Sequence, residues 1–147
     1  MHGARVTTPE QAAQLVREYQ LAGYDLVKVH EELTLEVFDA LAATANEVGI
    51  PFGGHVPDQV GLFHALAAGQ VSIDHLDNFI QALVPEERQP AAPPGRRDIG
   101  ALMEVVDAGR IPQLVEVTRA ARAWVVPTMV LWETVFYSDR SGAQMRT

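Results

Sequence analysis

The sequence predicts an α/β fold in which about four parallel strands are covered by helices. Three short apolar segments, at 24–30, 51–56 and 71–76, each follow a glycine that can end a helix, and a fourth lies at 124–130. Alternation of helix and strand with short turns is typical of right-handed βαβ units and a parallel sheet. Helices on one face alone would leave the other face bare. The chain is therefore interpreted as part of a (β/α)8 barrel, a fold that needs ~250 residues.

Helix starts in the first half are expected at residues that suit N-caps. Thr8 precedes Pro9, which favours a helix from that point to Gly23. Thr34 is expected to begin the second helix, and Asp58 to cap the third. Each of these helices is then followed by one of the three apolar segments, which gives three successive helix–strand units.

The second half is less regular. The stretch 84–98 contains four prolines and is expected to be an irregular insertion after the third strand. Pro127 within the fourth strand predicts a bulge or a strand end. The tail at 132–147 is not assigned. Further elements are expected over 99–107 and 112–123, as helices, and over 124–130, as the fourth strand.

Composition limits the classes of function. The chain has 147 residues, 48% of them hydrophobic, which suits one globular domain. A net charge of −8 argues against nucleic acid and anionic membranes as partners. Cysteine is absent from the sequence, so disulfides and thiolate metal sites are excluded. No apolar run is long enough to span a bilayer and the N-terminus does not look like a signal peptide, so a cytoplasmic location is expected.

The residues that end the predicted strands suggest chemistry. Lys28 is the only lysine in the chain, and it lies in an apolar strand where a charged ammonium is costly to bury. His55 and His75 occupy the corresponding positions of the next two strands. Because side chains alternate along a strand and parallel strands place functional groups at their carboxyl ends, the three are expected to converge on a metal site. His30 shares a face with Lys28 but lies one pleat further out, so it is expected to contact either the metal ligands or the substrate.

Structural alternatives remain for each of these residues. A histidine at a strand end is often a hydrogen-bonded structural residue, and Lys28 could pair with a carboxylate instead of binding metal. Asp74 is expected on the face opposite His75, towards the helices. His64 is expected on the outer surface of a helix, and Thr128 could reach the mouth of the barrel.

Three segments together resemble a known family. Residues 24–30, 54–57 and 72–76 are similar to the amidohydrolase superfamily, in its imidazolonepropionase-like and prolidase-like branch, and the resemblance extends from about 6 to about 129. It implies that Lys28 is carbamylated by CO2 and bridges two divalent metals, usually zinc. It implies that His55 and His75 bind the second metal. Members hydrolyse amide-like C–N bonds in small molecules such as dipeptides, N-acyl amino acids and cyclic imides.

The chain also departs from that family. It has no His-x-His pair, which in the family holds the other metal on the first strand, and Asp139 follows no convincing strand that would make it the family's proton shuttle. Residues 1–147 are therefore expected to form a single partial metal-dependent hydrolase domain, the middle of a barrel without its first strands and last strand.

Two functions stay open after the sequence has been read. The first is a metal-dependent amidohydrolase that acts through activated water. The second is a non-catalytic truncated fragment, pseudo-enzyme or assembly partner of the same fold, with an oligomer as one form it could take. A flavodoxin-like binding domain ranks last, because no glycine-rich phosphate loop follows a strand.

Overall fold

The computed structural model of the chain describes residues 4–90 and 99–137. His2, Asp139 and most of the 84–98 insertion lie outside these residues. The elements, in chain order, are α1 (Pro9–Leu21), β1 (Val27–Val29), α2 (Leu35–Val48), β2 (Phe52–Gly54), α3 (Leu62–Ala67), β3 (Ser72–Asp74), α4 (Phe79–Ala82), α5 (Ile99–Val105), α6 (Ile111–Ala120), β4 (Trp124–Val126) and α7 (Met129–Tyr137). Short 3-10 turns occur at Glu86–Arg88 and Ala108–Arg110.

The four strands form one parallel sheet in the order β1-β2-β3-β4. Each strand pairs with its successor in the chain, as right-handed βαβ units require. This arrangement confirms the predicted α/β class with four parallel strands and covering helices, and it is consistent with part of a barrel. β1 and β4 are the two edges of the sheet in the part of the chain that the structure describes.

One face of the sheet is packed against the helices. Val29, Phe52 and Ile73 point to that side, and each is at most 1% exposed. The ring of Phe52 contacts the edge of the Phe38 ring from α2, with centroids 6.0 Å apart. We call this side, defined by Val29, Phe52 and Ile73, the covered face. Its apolar contacts form the core and supply most of the driving force for folding.

The opposite side, which we call the open face, is defined by Lys28, Ser72, Asp74, Trp124 and Val126. Lys28 lies beside Gly53 in the register of β1 and β2, and Ser72 and Asp74 lie beside Trp124 and Val126. Trp124 is 77% exposed on this face. The functional candidates are therefore on a side of the sheet that the described helices leave accessible.

Helix starts agree with the sequence in two of three cases. Thr8 caps α1, with its side chain accepting a hydrogen bond from the Gln11 amide at 3.3 Å. Thr34 is the N-cap of α2 but makes no side-chain capping bond. The expectation for Asp58 is wrong, because the chain first makes a turn in which the amides of Val60 and Gly61 donate to the Pro57 carbonyl. Gly61, with a φ of 74°, is the N-cap of α3.

The fourth strand is shorter than predicted. It ends at Val126, and Met129 and Val130 belong to α7 instead. Pro127 cannot donate to a ladder, and Thr128 adopts a left-handed φ of 51°, so the chain leaves the sheet there. The Leu131 amide then donates to the Thr128 carbonyl at 2.8 Å and starts the helix.

Length and polarity of the helices also bear on membrane association. Among residues 4–90 and 99–137, none of the helices combines the length and the apolar character needed to cross a bilayer.

Candidate metal centre

The candidate site lies at the carboxyl ends of β1, β2 and β3, on the open face. Lys28 extends across the two glycines of β2 and forms an ion pair with Asp74 of β3. The lysine side chain is 54% exposed, whereas that of Asp74 is 14% exposed. Lys28 therefore lies on the face that sequence alternation predicted, and it is paired with a carboxylate there.

The assignment of faces in β3 differs from the sequence expectation. Strict alternation would place Ile73 on the same face as His75, but the Ile73 side chain is fully buried on the covered face. Asp74 was expected to point towards the helices, yet it lies on the open face with Lys28. The regular alternation holds for β3 but stops at His75, whose φ of 59° rotates its side chain away from the pattern.

Three imidazole rings nevertheless converge at this end of the sheet. The ring centroids of His55 and His75 are 4.6 Å apart, and those of His30 and His55 are 5.0 Å apart. The Nδ1 atom of His75 lies 2.5 Å from the hydroxyl of Thr128, which itself donates to the Pro127 carbonyl at 2.7 Å. The structure thus brings together His55, His75 and His30, and Thr128 orients one of the rings.

The glycines of β2 make room for this arrangement. A Cβ atom at Gly54 would lie 2.7 Å from the Val29 carbonyl oxygen and 3.0 Å from Cδ of Lys28. A Cβ atom at Gly53 would collide with the hydroxyl of Ser72. A larger residue at Gly54 would displace the Lys28 side chain on its way to Asp74, and one at Gly53 would displace Ser72.

Two carboxylates that the sequence did not single out complete the surroundings of His55. Its Nδ1 atom lies 2.9 Å from Oδ2 of Asp77 and 3.2 Å from Oε1 of Glu31. Ligand atoms of these three residues all lie within 4.8 Å of one another, so they could hold a metal ion. The sequence offered only weak indications of these two residues: Glu31 follows His30 in a loop, and Asp77 precedes Asn78 in a pair typical of turns.

Side chains from around β3 also hold the backbone of the His55 segment. Nε2 of Gln70 donates to the carbonyls of Gly54 (3.3 Å) and His55 (3.1 Å), and Nδ2 of Asn78 donates to the carbonyl of Val56 (2.9 Å). Gln70 and Asn78 are both buried. The end of β2 is therefore fixed by hydrogen bonds that cross to β3.

The donor set fits a divalent cation of the zinc type. Imidazole nitrogens and carboxylate oxygens are the usual protein ligands of such ions, and His55, Asp77 and Glu31 offer both kinds. The ring of His75 lies beside that of His55. His64, by contrast, lies on α3 with a side chain that is 45% exposed and pairs with Asp39 at 2.6 Å. This pair is outside the site, as the sequence predicted for His64.

Comparison with known proteins gives a likeness to a solved structure. No protein-family model matches the chain, and no curated protein sequence matches it. Among solved structures, it is similar to a chain described as bottromycin amidohydrolase, with 30% sequence identity and a TM-score of 0.56. The likeness covers 88% of this chain and 26% of the other, so this chain spans about a quarter of that enzyme's length.

The likeness supports the α/β fold class that the sequence predicted and the sheet topology shows. At this identity and coverage, the chain has an amidohydrolase-like α/β fold, with four parallel strands and flanking helices.

Proposed function

We propose that this chain supplies part of the active site of a metal-dependent hydrolase that cleaves amide-like C–N bonds in small molecules. The observation behind the proposal is the convergence of His55 and His75, with ring centroids 4.6 Å apart, on the face where Lys28 lies. The similarity to a bottromycin amidohydrolase supports a hydrolytic role for the same fold. Dipeptides, N-acyl amino acids and cyclic imides are the proposed substrate class.

In this proposal Lys28, His55 and His75 hold a divalent cation, with zinc as the expected metal. The cation would polarise an amide carbonyl and activate water for attack on its carbon. His55 and His75 contribute neutral imidazole nitrogens, and His30, beside His55 and exposed, contacts the substrate.

Lys28 contributes to this site as a carbamate. The ammonium first loses a proton. The neutral amine then adds to CO2, so that an N–C bond forms as one C–O π bond opens, and a second proton leaves the nitrogen. A cation-binding carboxylate thereby replaces a positive charge. Lys28 is paired with the Asp74 carboxylate, and the same carboxylate would repel a carbamate on Lys28. The two arrangements of Lys28 are therefore mutually exclusive, and cation and bicarbonate together favour the second.

Zinc binding by the purified chain, with and without bicarbonate, tests the proposal. Isothermal titration calorimetry should show about one ion per chain, bound more tightly when bicarbonate is present. Lys28→Ala should remove the bicarbonate effect, and His75→Ala should weaken binding in both conditions. His64→Ala is the matched control, because that histidine is paired with Asp39 away from the site. Equal binding by all four proteins would contradict the proposal.

A second candidate function is supported by the open face. Trp124 and Val126 of the edge strand β4 are 77% and 42% exposed there, and large apolar side chains at an unpaired edge are typical of contact surfaces. In this reading the chain is a non-catalytic assembly partner of the same fold. Sedimentation velocity would show association that Trp124→Ser reduces. A monomer at all concentrations would exclude self-association as that role.

A further inference from the structure

We propose that Asp77 is a positioning residue that fixes the tautomer of His55, so that Nε2 is the nitrogen presented to a bound cation. This inference rests on the proposed function only in assigning a cation to His55. Oδ2 of Asp77 lies 2.9 Å from Nδ1 of His55 and 3.3 Å from the amide of Val56. A carboxylate only accepts hydrogen bonds, so the neutral ring carries its proton on Nδ1. The lone pair is then on Nε2.

Asp77 is held in place by an unusual turn. His75, Leu76 and Asn78 have φ values of 59°, 60° and 62°, a region that side-chain-bearing residues seldom occupy. Such conformations persist only where surrounding contacts impose them. Here the Asp77 amide donates to the Asp74 carbonyl at 3.0 Å, and buried Asn78 donates to the Val56 carbonyl at 2.9 Å. The turn therefore positions the Asp77 carboxylate, which is 11% exposed, beside the His55 ring and the Val56 amide.

The backbone that bears His55 is fixed from the other side. Gln70, which is fully buried, donates to the His55 carbonyl at 3.1 Å and to the Ser72 carbonyl at 3.0 Å. The His55 amide donates to the Val29 carbonyl at 3.1 Å. With backbone and ring both held, His55 has little freedom to exchange the roles of its two nitrogens. Carboxylates that orient a histidine ligand in this way strengthen metal binding in other proteins.

A competing arrangement would place the cation between Glu31, His55 and Asp77, with Nδ1 as the ligand. That arrangement requires Nδ1 to lose its proton and Asp77 to turn its oxygen from the Val56 amide to the ion. It also relies on Glu31, whose side chain is 63% exposed. The hydrogen bonds of Asp77 favour the Nε2 arrangement, which makes the two alternatives experimentally distinct.

The tautomer can be read directly in the metal-free protein. The chain is labelled with 15N-histidine, and spectra that correlate ring nitrogens with ring protons are recorded at about pH 8, where an ordinary imidazole is neutral. We expect His55 to show the Nδ1–H form in the wild type. Because Glu31 Oε1 lies 3.2 Å from the same Nδ1, the substitution is made in a Glu31→Ala background. There, Asp77→Ala should shift His55 towards the Nε2–H form that free histidine prefers, whereas Glu31→Ala alone should leave the Nδ1–H form in place. Asp39→Ala, which removes the partner of His64, is the matched control and should leave His55 unchanged. A wild-type His55 in the Nε2–H form would overturn the inference.

Zinc titration of the same proteins then identifies the ligand atom. Asp77→Ala should weaken zinc binding by roughly 10- to 100-fold, the scale of such outer contacts. Glu31→Ala should change it by less than about threefold, as for an exposed charge. Zinc should move the Nε2 resonance of His55 and leave the Nδ1 proton in place. Loss of that proton on zinc binding, with equal losses in both variants, would overturn the inference.

The two proposals fail in different ways. If the wild type shows the Nδ1–H tautomer and binds no zinc, the positioning role of Asp77 stands and the metal-dependent function fails. If zinc binds through Nδ1, or binds the Asp77→Ala protein as tightly as the wild type, the metal site stands and the positioning role fails.

Discussion

The two faces of the sheet are built by different forces. On the covered face, Val29, Phe52 and Ile73 are at most 1% exposed and are held by apolar contacts with the helices. On the open face, Lys28 and Asp74 are joined by an ion pair, and hydrogen bonds place the groups beyond the strand ends. Apolar contacts tolerate small shifts, whereas hydrogen bonds and metal ligands depend on direction. We therefore expect the covered face to contribute most of the stability, whereas the open face carries the residues of the proposed metal site.

Phe52→Ala on the covered face should give the largest effect. Phe52 is 1% exposed and packs against the ring of Phe38, so its removal leaves a cavity in the core. We expect a loss of about 3–5 kcal/mol in the free energy of unfolding. Urea denaturation followed by circular dichroism measures it, and Phe52→Leu provides a milder variant, with a loss of about 1 kcal/mol.

Lys28→Ala is the counterpart on the open face. Its ion pair is half exposed on the lysine side, so we expect a loss of about 1 kcal/mol or less. Similar losses for Lys28→Ala and Phe52→Ala would contradict the division of roles between the faces.

Gly54→Ala should lower both the stability of the fold and the affinity for zinc. Gly54 has a φ of 119°, and a Cβ atom there would lie 2.7 Å from the Val29 carbonyl and 3.0–3.1 Å from the Lys28 side chain. We expect overpacking to cost about 1–3 kcal/mol in addition to backbone strain. Zinc binding should weaken as well, because Lys28 is displaced. Both quantities are measured by urea denaturation and calorimetry on the same preparation.

Gly49→Ala is the matched control for this substitution. Gly49 ends α2 with a φ of 75°, and a Cβ atom there would meet nothing within 4 Å. Its cost should be limited to left-handed strain of about 1–2 kcal/mol, with unchanged zinc binding. If Gly49→Ala weakened zinc binding as much as Gly54→Ala, the proposed role of the β2 glycines would be wrong.

The covered face could be predicted from the sequence because its rules are local. Helix caps such as Thr8 and runs of apolar residues gave the order of helices and strands, and that order implied a parallel sheet. The boundaries were less accurate: the N-cap of α3 is Gly61 and not Asp58, and β4 ends at Val126. Side-chain and backbone contacts that form only in the folded chain decide such ends.

The open face could be predicted only in part. Lys28, His55 and His75 were singled out because they recur at one position in successive units, and their role as metal ligands stays a prediction. The predicted orientation of Asp74 was wrong, because the prediction extended regular alternation into a left-handed turn at His75. Asp77 was missed, since its position depends on that turn and on hydrogen bonds to His55 and Val56, which lie 22 and 21 residues earlier in the sequence. No local pattern encodes such contacts.

The smallest expected effect lies on the outer surface of the helices, furthest from both faces of the sheet. Arg17 of α1 donates to Glu47 of α2 at 2.8 Å, and this hydrogen bond, with the attraction of opposite charges, lowers the pKa of Glu47 below its ordinary value of 4.5. A carboxyl group whose pKa is lowered by folding stabilises the protein above its unfolded pKa. That contribution is lost as the pH falls through the folded pKa.

Arg17→Met should therefore raise the pKa of Glu47 towards 4.5 and flatten this part of the acid dependence of stability. Carboxyl 13C titration by NMR measures the pKa. Glu10 serves as the internal control: its own amide and the Thr8 side chain lower its pKa, so it should not respond to Arg17→Met. Because Arg17 and Glu47 are both exposed, solvent screens their attraction, and zinc binding should stay the same. A change in zinc binding would mean that the helix layer influences the open face, and the two faces would no longer be independent.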